Sequence, residues 1–358
     1  MATIALGSGT SRGTLPRWSS LGLLAGSWVV MALLFLLFLL AGMTQAYSLV
    51  GVLFFGTVLW GVAVWTTSFI VEGSRKAKDR LVTSVVTTAF VIALLPLVSL
   101  LQTVIARGAA RFDPQFFSES MRNVVGAGGG AIHAVVGTLE ITLAAAVMSV
   151  PIGVLTAIYL VEYGRGPISR LITFLVDVMT GIPSIVAGLF AVALFTLLTG
   201  NPGFRSGFGG SVALSVLMIP IVVRSSEEML KLVPAELREA SYALGVPKWL
   251  TIVKVVLPTA LAGIVTGVML SIARVIGETA PLLLIAGFTD SMNYNLFANQ
   301  MIALPVYAYT QFANPGVPAD PYYDRAWTAA LTLILIVVLL NVIARLVSRL
   351  FAPKLASR

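Results

Sequence analysis

Long apolar runs separated by short polar segments dominate the chain. Eight of these runs approach or exceed the roughly 20 residues that a helix needs to cross about 30 Å of hydrocarbon. They occupy residues 21–42, 46–71, 81–106, 138–160, 171–198, 211–229, 259–288 and 327–346. Because a bilayer offers no water to the backbone polar groups, runs of this length predict helices. The pattern therefore predicts an all-α polytopic membrane protein with about eight transmembrane helices.

The composition agrees with a membrane protein. Apolar residues make up 58% of the 358 residues, whereas soluble domains contain about 45–50%. The chain has no cysteine, which excludes disulfides and thiolate metal sites, and the sequence predicts no metal site of another kind. No catalytic motif stands out either, so we expect a protein that is not an enzyme.

The positions of the basic residues decide what the net charge of +8 means. With eight spans and an inner N-terminus, 17 of the 23 lysines and arginines fall on the inner side. Shifting the topology by one span would reverse this bias, and membrane proteins keep their basic residues in the cytoplasm. We therefore expect both termini in the cytoplasm and contacts with membrane lipid, and we expect no binding of nucleic acid.

The runs divide the chain into an N-terminal hairpin and a longer core. We predict a cytoplasmic tail over 1–20, an accessory transmembrane hairpin over 21–71, a charged cytoplasmic connector over 72–80, a core over 81–350 and a second cytoplasmic tail over 351–358. The core holds two long polar segments, a cytoplasmic one over 225–258 and an extracytoplasmic one over 289–326. The hairpin has no acidic or basic residue, which favours packing against lipid.

Charged residues inside the spans are the strongest sign of function, because charge is costly in a bilayer. Arg274 and Glu278 lie four residues apart in SIARVIGETAPLL, so on one helix they can pair. Arg274 lies roughly 22 Å along the helix from Thr259, beyond the midplane, whereas Arg224 is within reach of the cytoplasmic interface. Guanidinium groups at such depths suit a small oxyanion. A topological anchor at Arg224 and a structural pair at Arg274 are the alternatives.

Other conspicuous features have simpler interpretations. The run GAGGG at 126–130 lacks the lysine of a phosphate-binding loop and predicts a flexible turn. His133 has no metal-binding partner in the sequence, so we predict a structural role, and we expect Asp177 to face the cytoplasm.

The aromatic residues of 289–326 leave open a docking site for an outer partner. Prolines within four spans favour a core that encloses a pathway, and they are Pro151, Pro183, Pro220 and Pro281.

The stretch ELREASYALGVPKWLTIVKVVLP, residues 236–258, is unusually polar for its place between two spans. Pro234 suits the first turn of a helix, Gly245 suits its end, and Pro247 suits the start of another. The pattern predicts two short helices hinged at this break, on the cytoplasmic surface. An interfacial amphipathic hairpin and a docking element for a cytosolic partner both fit the pattern.

The spacing of EASYALG, nine residues and VVLP resembles the cytoplasmic EAA loop of bacterial ABC importer permeases. Ser241 stands in place of the second alanine, and Val255 in place of an isoleucine. From about 78 to 350, the segments GIPSIVAGLF, PIVVRSSEEMLKLVP, IARVIGETAPLL and LLNVIARL resemble the A-type permease subunits of phosphate-specific ABC importers.

This resemblance implies a fold and a set of partners. Six spans would form a type I importer permease core in the bacterial inner membrane, paired with a homologous C-type permease. Two cytosolic ATPase subunits would carry ATP and Mg, an extracytoplasmic phosphate-binding protein would deliver inorganic phosphate, and this chain would hold no cofactor.

The resemblance also implies two groups of functional residues. The substrate-pathway residues would be Arg224, Arg274, Glu278 and Thr279. The ATPase-coupling residues would be Glu239, Ala240, Gly245, Pro247, Leu257 and Pro258. A permease for sulfate or molybdate and an anion transporter driven by an ion gradient are the alternative functions.

Overall fold

The structure is a computed structural model that describes residues 14–16, 18–42 and 48–351, with side chains as far as 346. Apart from the few residues beside the first and last helices, the predicted tails over 1–20 and 351–358 lie outside this description. The chain forms two compact units, Met1–Leu101 and Gln102–Arg358.

Every regular element in the described ranges is helical. The first unit contains α1 (Ser19–Leu40), α2 (Leu49–Val71) and most of α3 (Ser74–Gly108), and the unit boundary falls inside α3. The second unit contains α4 (Pro114–Ser118), α5 (Ile132–Ile158), α6 (Pro167–Thr180), α7 (Ser184–Thr199), α8 (Gly207–Lys231), α9 (Ala235–Ala243), α10 (Lys248–Thr251), α11 (Leu257–Val275), α12 (Ala280–Ile285), α13 (Leu304–Ala313) and α14 (Asp320–Phe351).

The helix lengths confirm the all-α polytopic class. Seven helices of the described part are long and apolar enough to cross a membrane, and the bent pair α6–α7 adds an eighth if it counts as one span. The predicted span over 171–198 is bent, because α6 and α7 meet at 110°. Pro183 lies at this bend, and a proline lacks an N–H and disfavours helical geometry in the residue before it.

The predicted span over 259–288 is also divided. Helix α11 ends at Val275, and a turn separates it from the short helix α12. Helix α12 packs on α7 so closely that a Cβ placed on Gly188 would lie 2.7 Å from the Cα of Pro281. The two helices that follow the breaks therefore pack against each other and place the Glu278–Thr279 turn beside this contact.

In the first unit, one buried carboxylate secures the connector. Glu72 caps the end of α2 and accepts hydrogen bonds from Arg80 Nε at 2.6 Å, Ser68 Oγ at 2.8 Å and the Leu15 backbone N–H at 2.9 Å. The hydrogen bond from Arg80 is the main reason why the pKa of Glu72 falls to about 2. The predicted connector over 72–80 therefore contains its own ion pair.

In the second unit, α5 and α8 pack along small polar residues. Ser211 donates to the carbonyl of Ile141 at 3.0 Å, and Ser215 donates to the carbonyl of Ala145 at 3.4 Å. Small side chains let helix backbones approach, and serine hydroxyls bond across the contact, as is usual where lipid supplies no hydrophobic driving force. This pair is the centre of the bundle that positions the in-span charges.

The segment 289–326 contains more regular structure than a loop. It includes α13 and the start of α14, and Tyr307 of α13 is fully buried. Tyr294 and Phe297, by contrast, are more than half exposed. The aromatic residues of this segment therefore divide between the core and the surface.

The glycine-rich run contacts a buried arginine, Arg325, in the segment predicted to be extracytoplasmic. Arg325 is fully buried in α14 and donates through Nη1 to the carbonyls of Gly126 at 2.7 Å and Gly128 at 3.0 Å. Its guanidinium carbon lies 4.5 Å from the centroid of the Tyr322 ring. Three of the glycines adopt a positive φ, so the predicted turn is present. Two of its carbonyls accept the hydrogen bonds from Arg325.

Candidate functional site

Arg224 of α8 lies in a network of four charged side chains. Its guanidinium donates through Nη1 to Glu227 Oε2 at 2.9 Å and through Nη2 to the carboxylate of Asp177 in α6. Glu227 also accepts from Lys231 Nζ at 2.6 Å. The network contains two cations and two carboxylates, so the buried Glu227 and the partly exposed Arg224 are both compensated.

Part of this network was visible in the sequence and part was not. Glu227 is three positions after Arg224 and four before Lys231, spacings that bring side chains together on a helix. Asp177 is 47 positions from Arg224, and the expectation that it simply faces the cytoplasm missed its ion pair. Only the packing of α6 on α8 brings these two residues together.

Arg274 has a different environment from Arg224. It lies in the last turn of α11, is exposed, and forms no hydrogen bond or ion pair within the described ranges. The predicted pair with Glu278 is therefore wrong. Since α11 ends at Val275, Glu278 lies in the turn after the helix, and the four-residue spacing no longer places the two side chains on one face. Glu278 and Thr279 are both half-buried beside α12.

Glycines on α11 set the relative depth of the two arginines. A Cβ on Gly267 would lie 2.5 Å from the Cβ of Ser225, and a Cβ on Gly263 would lie 2.6 Å from the Cγ of Met229. The helices are thus antiparallel, and Ser225 is level with Gly267. At 1.5 Å per residue, Arg274 lies about 9 Å further along the bundle axis than Arg224, away from the loop between the helices.

That loop contains the predicted helix, break and helix. Helix α9 ends at Ala243, and Gly245 follows with a φ of +75°. The Val246 N–H donates to the Ser241 carbonyl at 3.2 Å, and the Gly245 N–H donates to the Tyr242 carbonyl at 2.9 Å. These two bonds form a glycine-dependent helix end of the Schellman type.

Most of the predicted coupling residues lie on the surface of this loop. Exposed positions of the set are Glu239, Ala240, Gly245, Pro247 and Pro258, whereas Leu257 is half-buried. Apolar side chains accompany them, with Leu244 83% exposed and Trp249 61% exposed. An apolar surface beside carboxylates is typical of a protein contact site.

The second half of the loop differs from the prediction of a separate short helix. Helix α10 continues through a wide turn of π geometry, Ile252–Val256, into α11, so the helix is unbroken at Pro258. A proline has no N–H and its ring clashes with the carbonyl of the preceding turn, and a wider turn accommodates both. The second half of the loop is therefore the first part of the span that carries Arg274.

Membrane-length helices, two arginines at different depths and a surface helix–break–helix loop define a membrane permease. Residues 149–357 match the family described as binding-protein-dependent transport system inner membrane component. The chain is 51% identical over 266 residues to the phosphate transport system permease protein PstA of Mycobacterium leprae, which covers 73% of this chain and 85% of the relative. It is 35% identical over 263 residues to the PstA protein of Yersinia pestis, with shares of 72% and 86%.

A solved structure with the same fold is that of a bacterial ABC transporter involved in the import of the acidic polysaccharide alginate. Its TM-score is 0.52 at 14% identity, and the match covers 78% of this chain and 97% of that one. The chain therefore belongs to the binding-protein-dependent transport inner membrane component family, within its group of PstA permeases.

Proposed function

We propose that this chain is the permease subunit of an ATP-driven ABC importer for inorganic phosphate. The observation that carries the proposal is the 51% identity to relatives named as phosphate transport permeases, over most of both chains. Arg274, unpaired within the described ranges and carried by a membrane-length helix, supports it. A guanidinium in a low-dielectric setting binds an oxyanion through fork-shaped donors.

In this proposal, phosphate meets the two arginines in succession. Arg274 offers its guanidinium first, because it forms no ion pair among the described residues. Arg224 is engaged with Asp177 and Glu227, so phosphate must replace at least one carboxylate to bind there. Glu278 and Thr279 would lie beside phosphate as it passes from Arg274 to Arg224. The Glu278 carboxylate would limit how tightly the anion is held, and the Thr279 hydroxyl would accept or donate a hydrogen bond to it.

The loop over 225–258 would be the ATPase-docking element. Its exposed Glu239, Ala240, Gly245 and Pro247 would contact cytosolic ATPase subunits, which hydrolyse ATP with Mg, and this chain would contribute no catalytic residue. A homologous C-type permease would complete the pathway, and an extracytoplasmic phosphate-binding protein would supply the substrate. Both termini and the loop would lie in the cytoplasm, in agreement with the distribution of basic residues.

Uptake competition in proteoliposomes tests the substrate. The chain is reconstituted with the C-type permease, the ATPase subunits and the binding protein, and labelled phosphate uptake is followed with MgATP inside. We expect unlabelled phosphate to compete and a tenfold excess of sulfate or molybdate to have no effect. Equal competition by either oxyanion would overturn phosphate as the substrate. Uptake without ATPase subunits that an ionophore abolishes would favour a carrier driven by an ion gradient.

A further inference from the structure

Both halves of the surface loop contact the same residue at the end of α5. Glu162 lies in a wide π-type turn, Tyr159–Tyr163, that follows α5, and its side chain is 5% exposed. Arg238 of α9 donates to Glu162 Oε1 through Nε at 3.0 Å and through Nη2 at 2.9 Å. Lys248 of α10 donates to the backbone carbonyl of Glu162, and its Nζ lies 4.7 Å from the centroid of the Tyr163 ring.

Arg238 also connects the loop to α8. It donates to the carbonyl of Leu230 in the last turn of α8 at 3.0 Å, and to the carbonyl of Val233, just after that helix, at 2.7 Å. One guanidinium therefore satisfies a buried carboxylate and the end of a span together. Removing either charge would leave the other group without compensation.

The break at Gly245 is bridged, so it does not behave as the free hinge that its glycine and proline suggest. Ser241 and Thr251, on opposite sides of the break, share a buried hydrogen bond of 2.8 Å. The contacts of Arg238 and Lys248 with Glu162 add a second bridge across the same break. Helices α9 and α10 are thus held to each other and to the end of α5.

We propose that Glu162 is a positioning residue that makes α5 a direct recipient of the loop's motion, in addition to the spans α8 and α11 that the loop joins. The inference rests on the proposed transport function. Helix α5 can pass this motion on, because it packs tightly on α8. A Cβ on Gly153 would lie 2.6 Å from Val222 Cγ1, two positions before Arg224. The surface loop, α5 and the Arg224 network would then move together.

Transport efficiency per ATP tests this role. Glu162→Ala and the isosteric Glu162→Gln are reconstituted with the partner subunits, with Glu119→Ala as the matched control, since Glu119 is an exposed glutamate outside the loop. We expect Glu162→Ala to retain ATPase co-purification and hydrolysis within twofold, while phosphate transported per ATP falls about tenfold or more, with Glu162→Gln between it and the control. An unchanged ratio, or loss of ATPase binding in step with transport, would overturn the proposal.

A distance measurement tests the same inference if Glu162→Ala assembles poorly or if phosphate is not the substrate. The chain has no cysteine, so spin labels can be placed through cysteines at two exposed positions, Leu155 of α5 and Glu236 of α9. The distance between the labels is measured in the full complex without nucleotide and with ATP bound. We expect ATP to leave this distance unchanged when Glu162 is present, and to shift or broaden its distribution in Glu162→Gln. A shift with Glu162 present, or identical distributions in both proteins, would refute it. Failure of phosphate uptake in the unsubstituted complex would instead count against the proposed function.

Discussion

Arg224 joins α8 to α6 through the carboxylate of Asp177, a residue 47 positions earlier in the chain. Asp177 lies in the helix that ends at the 110° break, and Arg224 is in the span that leads into the surface loop. The pair therefore connects the bent helices to the loop-bearing span. In the proposed pathway, an oxyanion that binds Arg224 must replace this carboxylate or that of Glu227.

A charge-balance experiment separates the structural and pathway roles of Arg224. Arg224→Gln removes a cation and leaves Asp177 and Glu227 in excess, so we expect poorer assembly and a loss of phosphate uptake of tenfold or more, which corresponds to about 1.4 kcal/mol or more. Adding Asp177→Asn restores the balance of charge. We expect the double variant to regain assembly, measured by size-exclusion chromatography with the partner subunits, but not uptake. Recovery of uptake would show that the arginine is only structural.

Arg274 has no partner in the described part of the chain, so its removal strands no carboxylate there. We expect Arg274→Gln to unfold at the same temperature as the unsubstituted protein within about 2 °C, and to lose phosphate uptake by tenfold or more. Arg274→Lys keeps the charge but not the planar fork, and its uptake should be intermediate. Unchanged phosphate flux in Arg274→Gln would exclude a pathway role.

Gly245 tests the docking surface with little effect on the fold. It has a φ of +75°, and a Cβ added to it would meet no other atom within 4 Å. Aspartate tolerates this backbone region better than most residues. We expect Gly245→Asp to insert normally, to weaken ATPase co-purification and to abolish uptake, because it adds volume and charge to an exposed contact. Gly200→Asp is the matched control, with a φ of +69° and equally open surroundings. Normal uptake in Gly245→Asp would contradict the coupling role.

Glu72 predicts a pH-dependent contribution to the stability of the first unit. Its pKa is lowered to about 2 by the bonds from Arg80 and Ser68, so the folded state favours the ionised carboxylate. This stabilisation is present above the ordinary value of 4.5 and is lost as the pH falls toward 2. We expect Glu72→Gln to lower the unfolding temperature at pH 7 by about 2–6 °C, with the difference shrinking below pH 4.5.

Thermal unfolding in detergent at pH 7, 5 and 3 measures this effect, with the exposed Glu228→Gln as the control. A difference between Glu72→Gln and the unsubstituted protein that stays constant from pH 7 to pH 3 would contradict the assigned ion pair.

Local signals in the sequence predicted the helices of the loop, but not the contacts that hold the loop to α5. Pro234, Gly245 and Pro247 act on their own turns, through a missing N–H or a permitted positive φ, so the helix–break–helix pattern of α9 and α10 was accessible from residue types. The contact of Arg238 with Glu162 spans 76 positions. No spacing rule reaches that far, and the rigid character of the break was therefore hidden.

The amino-acid sequence by itself determined that this protein is an all-α membrane permease. The position and orientation of each transmembrane helix depend on its own apolar run and on the basic residues beside it. The family resemblance depends on the spacing of short motifs. Only the tertiary structure decided the break between α6 and α7, the separation of Arg274 from Glu278, and the partners of Arg224 and Arg238. These features arise where one helix packs on another, and the free energy of such contacts depends on residues that the chain brings together from distant positions.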